Sequence, residues 1–156
     1  MKRYKIGFLS GFFDILHEGH IAILRLAKQQ CEQLIVAVGT DEFMRARKGR
    51  ESVLSYDQRV QIISSIRYVD KVVEENNLDK IEAYKKYHFD VMFAGDDHKN
   101  EDTYIKDADT LKREYGVDTI YIGRSDTSST ALRKRTYDIW KEYGASDVTV
   151  TAREKS

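Results

Sequence analysis

The sequence predicts a doubly wound, Rossmann-like α/β domain built on about five parallel strands. Three observations carry this. Short apolar runs recur along the chain, stretches with helical apolar spacing separate them, and four of the five runs lead into a glycine followed by polar residues. Strands alternating with helices of this length pack as right-handed βαβ units around one sheet.

The elements follow in order. Strands are expected over Lys5–Leu9, Gln33–Val38, Val69–Val73, Val91–Ala94 and Thr119–Ile122, where β-branched and aromatic residues concentrate. Helices are expected over His20–Gln30, Tyr56–Ile66, Asp79–Tyr87, Tyr104–Tyr115 and Ser129–Tyr143. In the first, Ile23, Leu24, Ala27 and Cys31 share one face; in the last, Leu132, Thr136, Ile139 and Tyr143 form a stripe. Residues 1–144 are read as one domain and residues 145–156 as a tail carrying no readable chemistry. The length of 156 residues and the 41% hydrophobic content suit a single well-filled core.

Composition also excludes function classes. Lys plus Arg number 26 and Asp plus Glu 26, so the chain lacks the positive excess of a non-specific polyanion binder. A single cysteine, Cys31, rules out an internal disulfide and a Cys-rich zinc site, and on the apolar face of the first helix it reads as core. No apolar run approaches the ~20 residues of a membrane helix, so a cytoplasmic protein without membrane contact is expected.

The glycines after the strands are Gly11, Gly39, Gly95 and Gly123, each followed within a few residues by charge or hydroxyl. Any one of them could simply turn the chain. Together they point to one pocket, because open parallel sheets bind ligands outside the carboxyl ends of their strands. The richest segment is Gly11-Phe12-Phe13-Asp14-Ile15-Leu16-His17-Glu18-Gly19-His20. Its two histidines stand three apart where a helix begins, beside backbone N–H groups that favour an anion. Capping histidines and a metal pair are the alternatives, the second weakened by the lack of a third ligand nearby.

The pattern G-x-F-D-x-x-H-x-G-H resembles the nucleotidyltransferase superfamily marked by H-x-G-H, and within it the cytidylyltransferases, the glycerol-3-phosphate type in particular. Ile66–Val72 (IRYVDKV), Ala94–His98 (AGDDH) and Arg124–Thr130 (RSDTSST) continue the likeness in order, over about Tyr4 to Arg135. The resemblance implies a nucleotidyltransferase-type fold and transfer of CMP from CTP to a small polyol phosphate. Glycerol phosphate is the lead acceptor, and the products are a CDP-polyol for cell-surface polymer synthesis and pyrophosphate. It implies Mg2+ carried on the nucleotide phosphates, with no protein metal site, and a homodimer.

Site residues follow from the same likeness. His17 and His20 contact the triphosphate and stabilise the transition state, and Gly11, Phe12, Phe13 and Asp14 form the turn that presents them. A small hydroxyl residue is common in the resembled enzymes where Phe12 stands. Lys48 closes over the phosphates from the basic segment Arg45–Arg50, with Arg47 and Arg50 as alternatives; a solvated loop or a nucleic-acid contact are the other readings of that segment. Arg59 and Arg67 bind substrate phosphate. Asp96 recognises the base or ribose, and Arg124, Ser129 and Thr130 hold the β- and γ-phosphates. The catalytic set is thus His17, His20, Lys48 and Arg124. From geometry alone, Arg59 falls among Ile62, Ile63 and Ile66 on an apolar helix face, so it either snorkels out or reaches over the strand ends; Arg67 alone would suit the dipole of a helix end. Two other readings stand beside this one: an adenylyltransferase resembling the small FAD-forming enzymes, and a nucleotide- or RNA-binding module without catalysis.

Overall fold

The computed structural model describes residues 2–123 and 125–143. Five strands, β1 (Tyr4–Gly11), β2 (Cys31–Gly39), β3 (Lys71–Glu75), β4 (Val91–Gly95) and β5 (Asp118–Ile122), form one parallel sheet in the order β3-β2-β1-β4-β5. The helices are α1 (Glu18–Gln30), α2 (Asp41–Lys48), α3 (Tyr56–Ser64), α4 (Lys80–Tyr87), α5 (Asp102–Tyr115) and α6 (Ser129–Tyr143). The chain winds outward from β1 through β2 to β3, then returns to lay β4 on the other side of β1. The switch point therefore lies between β1 and β4, whose register runs Gly7 to Val91, Phe8 to Met92 and Leu9 to Phe93.

Both faces of the sheet are covered, which is why the strands read as continuous apolar runs. Along β2, Leu34, Val36 and Val38 point to one face with Leu24, Ala27 and Ile63, while Ile35 and Ala37 point to the other with Phe89, Tyr104 and Leu111. Cys31 is fully buried, as first residue of β2 rather than part of α1.

Four differences from the sequence reading have local causes. The segment Arg45–Arg50 is not a loop: Arg45, Arg47 and Lys48 are the last turn of α2, which Thr40 caps by accepting from the Phe43 N–H and Gly49 ends with φ at 66°. Only Phe43 and Met44 are buried in this short helix, too few to show a period. Next, α3 ends at Ser64, and β3 starts at Lys71 rather than Val69, because Val69 and Asp70 form a turn whose N–H groups reach the carbonyls of Ile66 and Leu34. That shift carries β3 to Glu75. Asp96–His98 form a short 3-10 turn after β4. Finally, the apolar stripe of α6 is not buried: Ile139 and Tyr143 are exposed, as are Tyr137 and Trp140. No helix among the described residues is long and apolar enough to cross a membrane. The residue 145–156 tail lies outside the described residues.

Asp70 ties the amino-terminal end of the sheet. Its carboxylate accepts from the Lys28 ammonium at 2.6 Å and the Leu34 N–H at 2.7 Å. Partial burial pushes its pKa up, but these two donors outweigh it and hold it below the ordinary value. A carboxylate depressed on folding stabilises the fold above its unfolded pKa of about 3.9 and loses that contribution as pH falls further. Asp70→Asn should therefore lower the thermal midpoint at pH 7, and the gap to wild type should narrow on acidification to pH 3, as followed by circular dichroism.

Candidate active site

The site grows from the turn that follows β1. Phe13 and Ile15 sit at φ of 54° and 52°, a left-handed conformation rarely held by residues with bulky side chains. Each costs on the order of 1–3 kcal/mol and persists only where its surroundings over-determine it. Here they do. Phe13 is buried against the His20 ring edge, the Arg59 guanidinium donates to the Phe12 carbonyl at 2.8 Å, and the Ser129 hydroxyl donates to the Asp14 and Ile15 carbonyls at 2.7 and 3.3 Å. Three separate elements thus fix one strained turn.

The turn delivers two histidines into a reciprocal cap on α1. His17 is the N-cap, with its Nδ1 accepting from the Gly19 N–H at 3.0 Å, and His20 Nδ1 accepts from the His17 N–H at 3.2 Å. With both Nδ1 atoms acting as acceptors, each neutral ring carries its proton on Nε2. The rings lie 3.9 Å apart, centroid to centroid. Capping and ligand contact are therefore compatible: one nitrogen of each ring orders the helix start and the other can donate to an anion. Gly19 is required by space, since a Cβ there would collide with the Ser125 hydroxyl and come within 2.8 Å of His17 Cε1.

Arg59 and Asp14 hold the basic segment. The Arg59 side chain is 0% exposed. Besides Phe12 it donates to the carbonyls of Gly39 at 2.6 Å and Leu54 at 3.0 Å, and to the Asp41 carboxylate at 2.7 Å. Burial raises the Asp41 pKa, but the Tyr56 N–H, Arg59 and Ser52 outweigh it and hold the carboxyl below its ordinary value. Asp14, 3% exposed, accepts from the Val53 N–H at 3.0 Å and the Leu54 N–H at 3.1 Å. Two arginines flank it, Arg50 at 3.5 Å and Arg133 at 3.9 Å.

These elements enclose a cavity of about 320 Å³ at the carboxyl ends of β1 and β4, where the topology puts a ligand. Of the expected residues, Gly11, Phe12, Phe13, Asp14, His20, Lys48, Ser129 and Thr130 all line it, as do Arg47 and Arg50. His17 stands beside His20 as the cap. The Phe12 ring packs over Gly39, where a Cβ would collide with it, and against Phe43 with centroids 5.2 Å apart.

Other expected residues lie elsewhere. Arg59 gives its guanidinium to protein acceptors and does not line the cavity, because three chain ends converge on it. Arg67 is exposed, donates to the Tyr68 hydroxyl at 2.9 Å, and stands before the start of β3, at the opposite end of the sheet. Asp96 is also outside the lining and neighbours Gly123, whereas Asp97 and His98 face the cavity. The hydroxyl that caps α6 is that of Ser128, which accepts from the Ala131 N–H at 3.0 Å. Arg124 lies outside the described residues.

Three lining residues with charged or phenolic side chains escaped the sequence reading: Glu75, Tyr104 and Arg133. Arg133 could have been found, since it falls one turn after the hydroxyl cluster, on the same face as Ser129 and Thr130. Its guanidinium donates to Thr130 Oγ1 at 3.1 Å. Burial lowers its pKa, as does the Arg50 cation, against the pull of Asp14. Two cations sharing one carboxylate leave this wall positive and suited to an anion.

Residues 8–139 match the model of the Cytidylyltransferase-like family. The chain belongs to that family. Among curated cytidylyltransferases, the glycerol-3-phosphate cytidylyltransferase of Bacillus subtilis is 36% identical over 125 residues, spanning 80% of this chain and 90% of the relative. The FAD synthase of Pyrococcus abyssi is 42% identical over 90 residues, but this spans only 57% of the chain and 61% of the relative. The fold is shared with a lipopolysaccharide core biosynthesis protein from Thermoplasma volcanium, at a TM-score of 0.64 and 23% identity, over 80% of this chain and 99% of that one.

Asp14 offers a direct check on this architecture. Asp14→Ala leaves two backbone N–H groups and two arginines without their shared acceptor, so it should cost about 2–4 kcal/mol in chemical denaturation. Amide exchange at Val53 and Leu54 should accelerate more than exchange in β2.

Proposed function

We propose that this protein transfers a cytidylyl group from CTP to glycerol phosphate or a closely similar polyol phosphate, releasing pyrophosphate. The observation that carries the reading is the meeting of the histidine cap with Arg47, Lys48, Arg50 and Arg133 in and around one cavity at the switch point. Similarity to a glycerol-3-phosphate cytidylyltransferase over most of both chains supports the choice of nucleotide and acceptor.

The chemistry asks little of a base. A phosphate monoester has its second pKa near 6 and is largely dianionic at neutral pH. One of its oxygens attacks the α-phosphorus of CTP; the new P–O bond forms as the bond to the β-phosphate bridging oxygen breaks, and pyrophosphate leaves with that electron pair. The barrier is the approach of two polyanions, which positioning and fixed positive charge reduce. His17 and His20 donate from Nε2 to phosphate oxygens, in the tautomer their own cap enforces. Lys48 and Arg47 at the end of α2 neutralise phosphate charge from one side, with Arg50 beside them. Ser129, Thr130 and the first turn of α6 receive the β- and γ-phosphates together with Arg124. Asp96 reads the base or ribose from the β5 side.

Mg2+ belongs to this reading as the ion that enters with CTP. The described residues contain no group of three His, Cys, Asp or Glu able to hold a metal. Of the three cavity carboxylates, Asp14 serves Val53, Leu54 and the arginines, Glu75 serves Lys80, and Asp97 lies 3.7 Å from the His98 ring. The donor set thus fits an ion that would be held mainly by phosphate oxygens and would spread the charge of the leaving pyrophosphate. A homodimer completes the reading.

The test is pyrophosphate release with Mg2+, pairing CTP or ATP with glycerol phosphate. Turnover is expected with CTP and glycerol phosphate, and His17→Ala and His20→Ala should each reduce kcat by about 100-fold or more while the protein stays folded. Preference for ATP, or variants that lose activity only because they unfold, would contradict the assignment.

A further inference from the structure

At the floor of the cavity, beyond the phosphate-facing cations, stands a polar cluster with no part in the chemistry described so far. Glu75 ends β3 and is 9% exposed; Lys80, on the first turn of α4, is 3% exposed. Their charged atoms are 2.8 Å apart. Glu75 lines both the main cavity and a small hollow behind it, and Lys80 lines only the hollow. The carboxylate therefore faces the ligand space and the ammonium backs it.

Tyr104 completes the cluster from α5. Its ring stacks on His98 at 4.5 Å, the Lys80 ammonium lies 5.7 Å from its centroid, and it is 8% exposed. Burial raises the phenol pKa strongly and the Glu75 charge adds to this, against a hydrogen bond with the Ser10 side chain. The hydroxyl thus stays protonated across the working pH range, as both donor and acceptor. Ser10 lines the cavity beside it.

A buried ion pair is a poor stabiliser, because desolvating two charges offsets most of their attraction, and apolar residues of similar size usually serve as well. A pair at a cavity floor has a different use. Its net charge is zero, so it neither repels a phosphate-bearing acceptor nor selects a cationic head, yet it sets a strong acceptor beside the phenol in a dry site. Hydroxyl groups of a small polyol match that pattern.

We infer that Glu75 and Tyr104, with Lys80 as the positioning residue behind Glu75, form the subsite that reads the free hydroxyls of the acceptor. This rests on the cytidylyl-transfer reading above and specifies which part of the cavity chooses the polyol. A site built to hydrogen-bond a substrate hydroxyl rejects the analogue lacking it, because its own buried groups are then left unpaired.

The experiment compares kcat/KM for glycerol phosphate, n-propyl phosphate and ethanolamine phosphate, with CTP saturating. Variants are Glu75→Leu/Lys80→Met, which removes both charges together, and Tyr104→Phe, which removes one hydroxyl and keeps the ring. Wild type should favour glycerol phosphate over n-propyl phosphate by about 100-fold or more. The double variant should reduce this preference to within about fivefold, and Tyr104→Phe should reduce it about tenfold, while KM for CTP moves less than about threefold. If the double variant does not fold, Tyr104→Phe decides. A folded variant that keeps the wild-type preference overturns this inference alone, as does a wild-type preference for ethanolamine phosphate, which would make Glu75 a reader of cations. Wild-type silence with every acceptor would overturn the transfer reading and this inference with it.

Discussion

The architecture of this site depends on one buried guanidinium. Arg59 binds the carbonyls that end the first and second strand regions, Phe12 and Gly39, together with the Leu54 carbonyl and the Asp41 carboxylate. Backbone carbonyls at strand ends have lost their ladder partners and need donors. A planar side chain with five N–H groups can serve several of them at once, where a lysine serves fewer and without fixed geometry. The strained Phe13–Ile15 turn, the start of α2 and the entry to α3 are all registered to this single group.

From that anchor the cavity follows. Once the turn is fixed, His17 and His20 cap α1 and Asp14 points at Val53, Leu54 and the two arginines. Arg50 and Arg133 stand at Asp14, itself fixed by two backbone N–H groups, so little reorganisation is left on that wall for the moment of reaction. Residual positive charge faces the cavity, while its Glu75 side, paired to Lys80, stays neutral.

Much of this was legible in the sequence. Glycine after a strand is a local signal, and two of the four, Gly11 and Gly95, line the cavity; the histidine spacing located the helix start. What was not legible depended on neighbours distant in the chain. Arg59 was placed correctly on an apolar face, but only the convergence of Phe12, Gly39 and Leu54 shows that the apolar face also holds carbonyls in need of donors. Arg67 carries the same charge just beyond the end of α3, and the topology sends it to the other end of the sheet. Glu75 was hidden by a two-residue shift in β3, set by the turn at Val69 and Asp70. Tyr104 read as an ordinary helix residue because its partners come from other elements, Ser10 from β1 and His98 from the turn after β4. In α2, two buried residues within eight gave no period to detect.

The central claim is that Arg59 organises the site through the backbone and touches no ligand. The direct measurement is Arg59→Lys, followed by thermal denaturation and by KM for each substrate in the fraction that remains folded. Breaking several buried charge-assisted hydrogen bonds should cost about 3–5 kcal/mol, a fall of about 10 °C or more in Tm for a chain of this size. The common kcat should fall, and neither substrate's KM should change selectively. An unchanged Tm with a selective rise in KM for the phosphate acceptor would contradict the account and make Arg59 a ligand of the substrate.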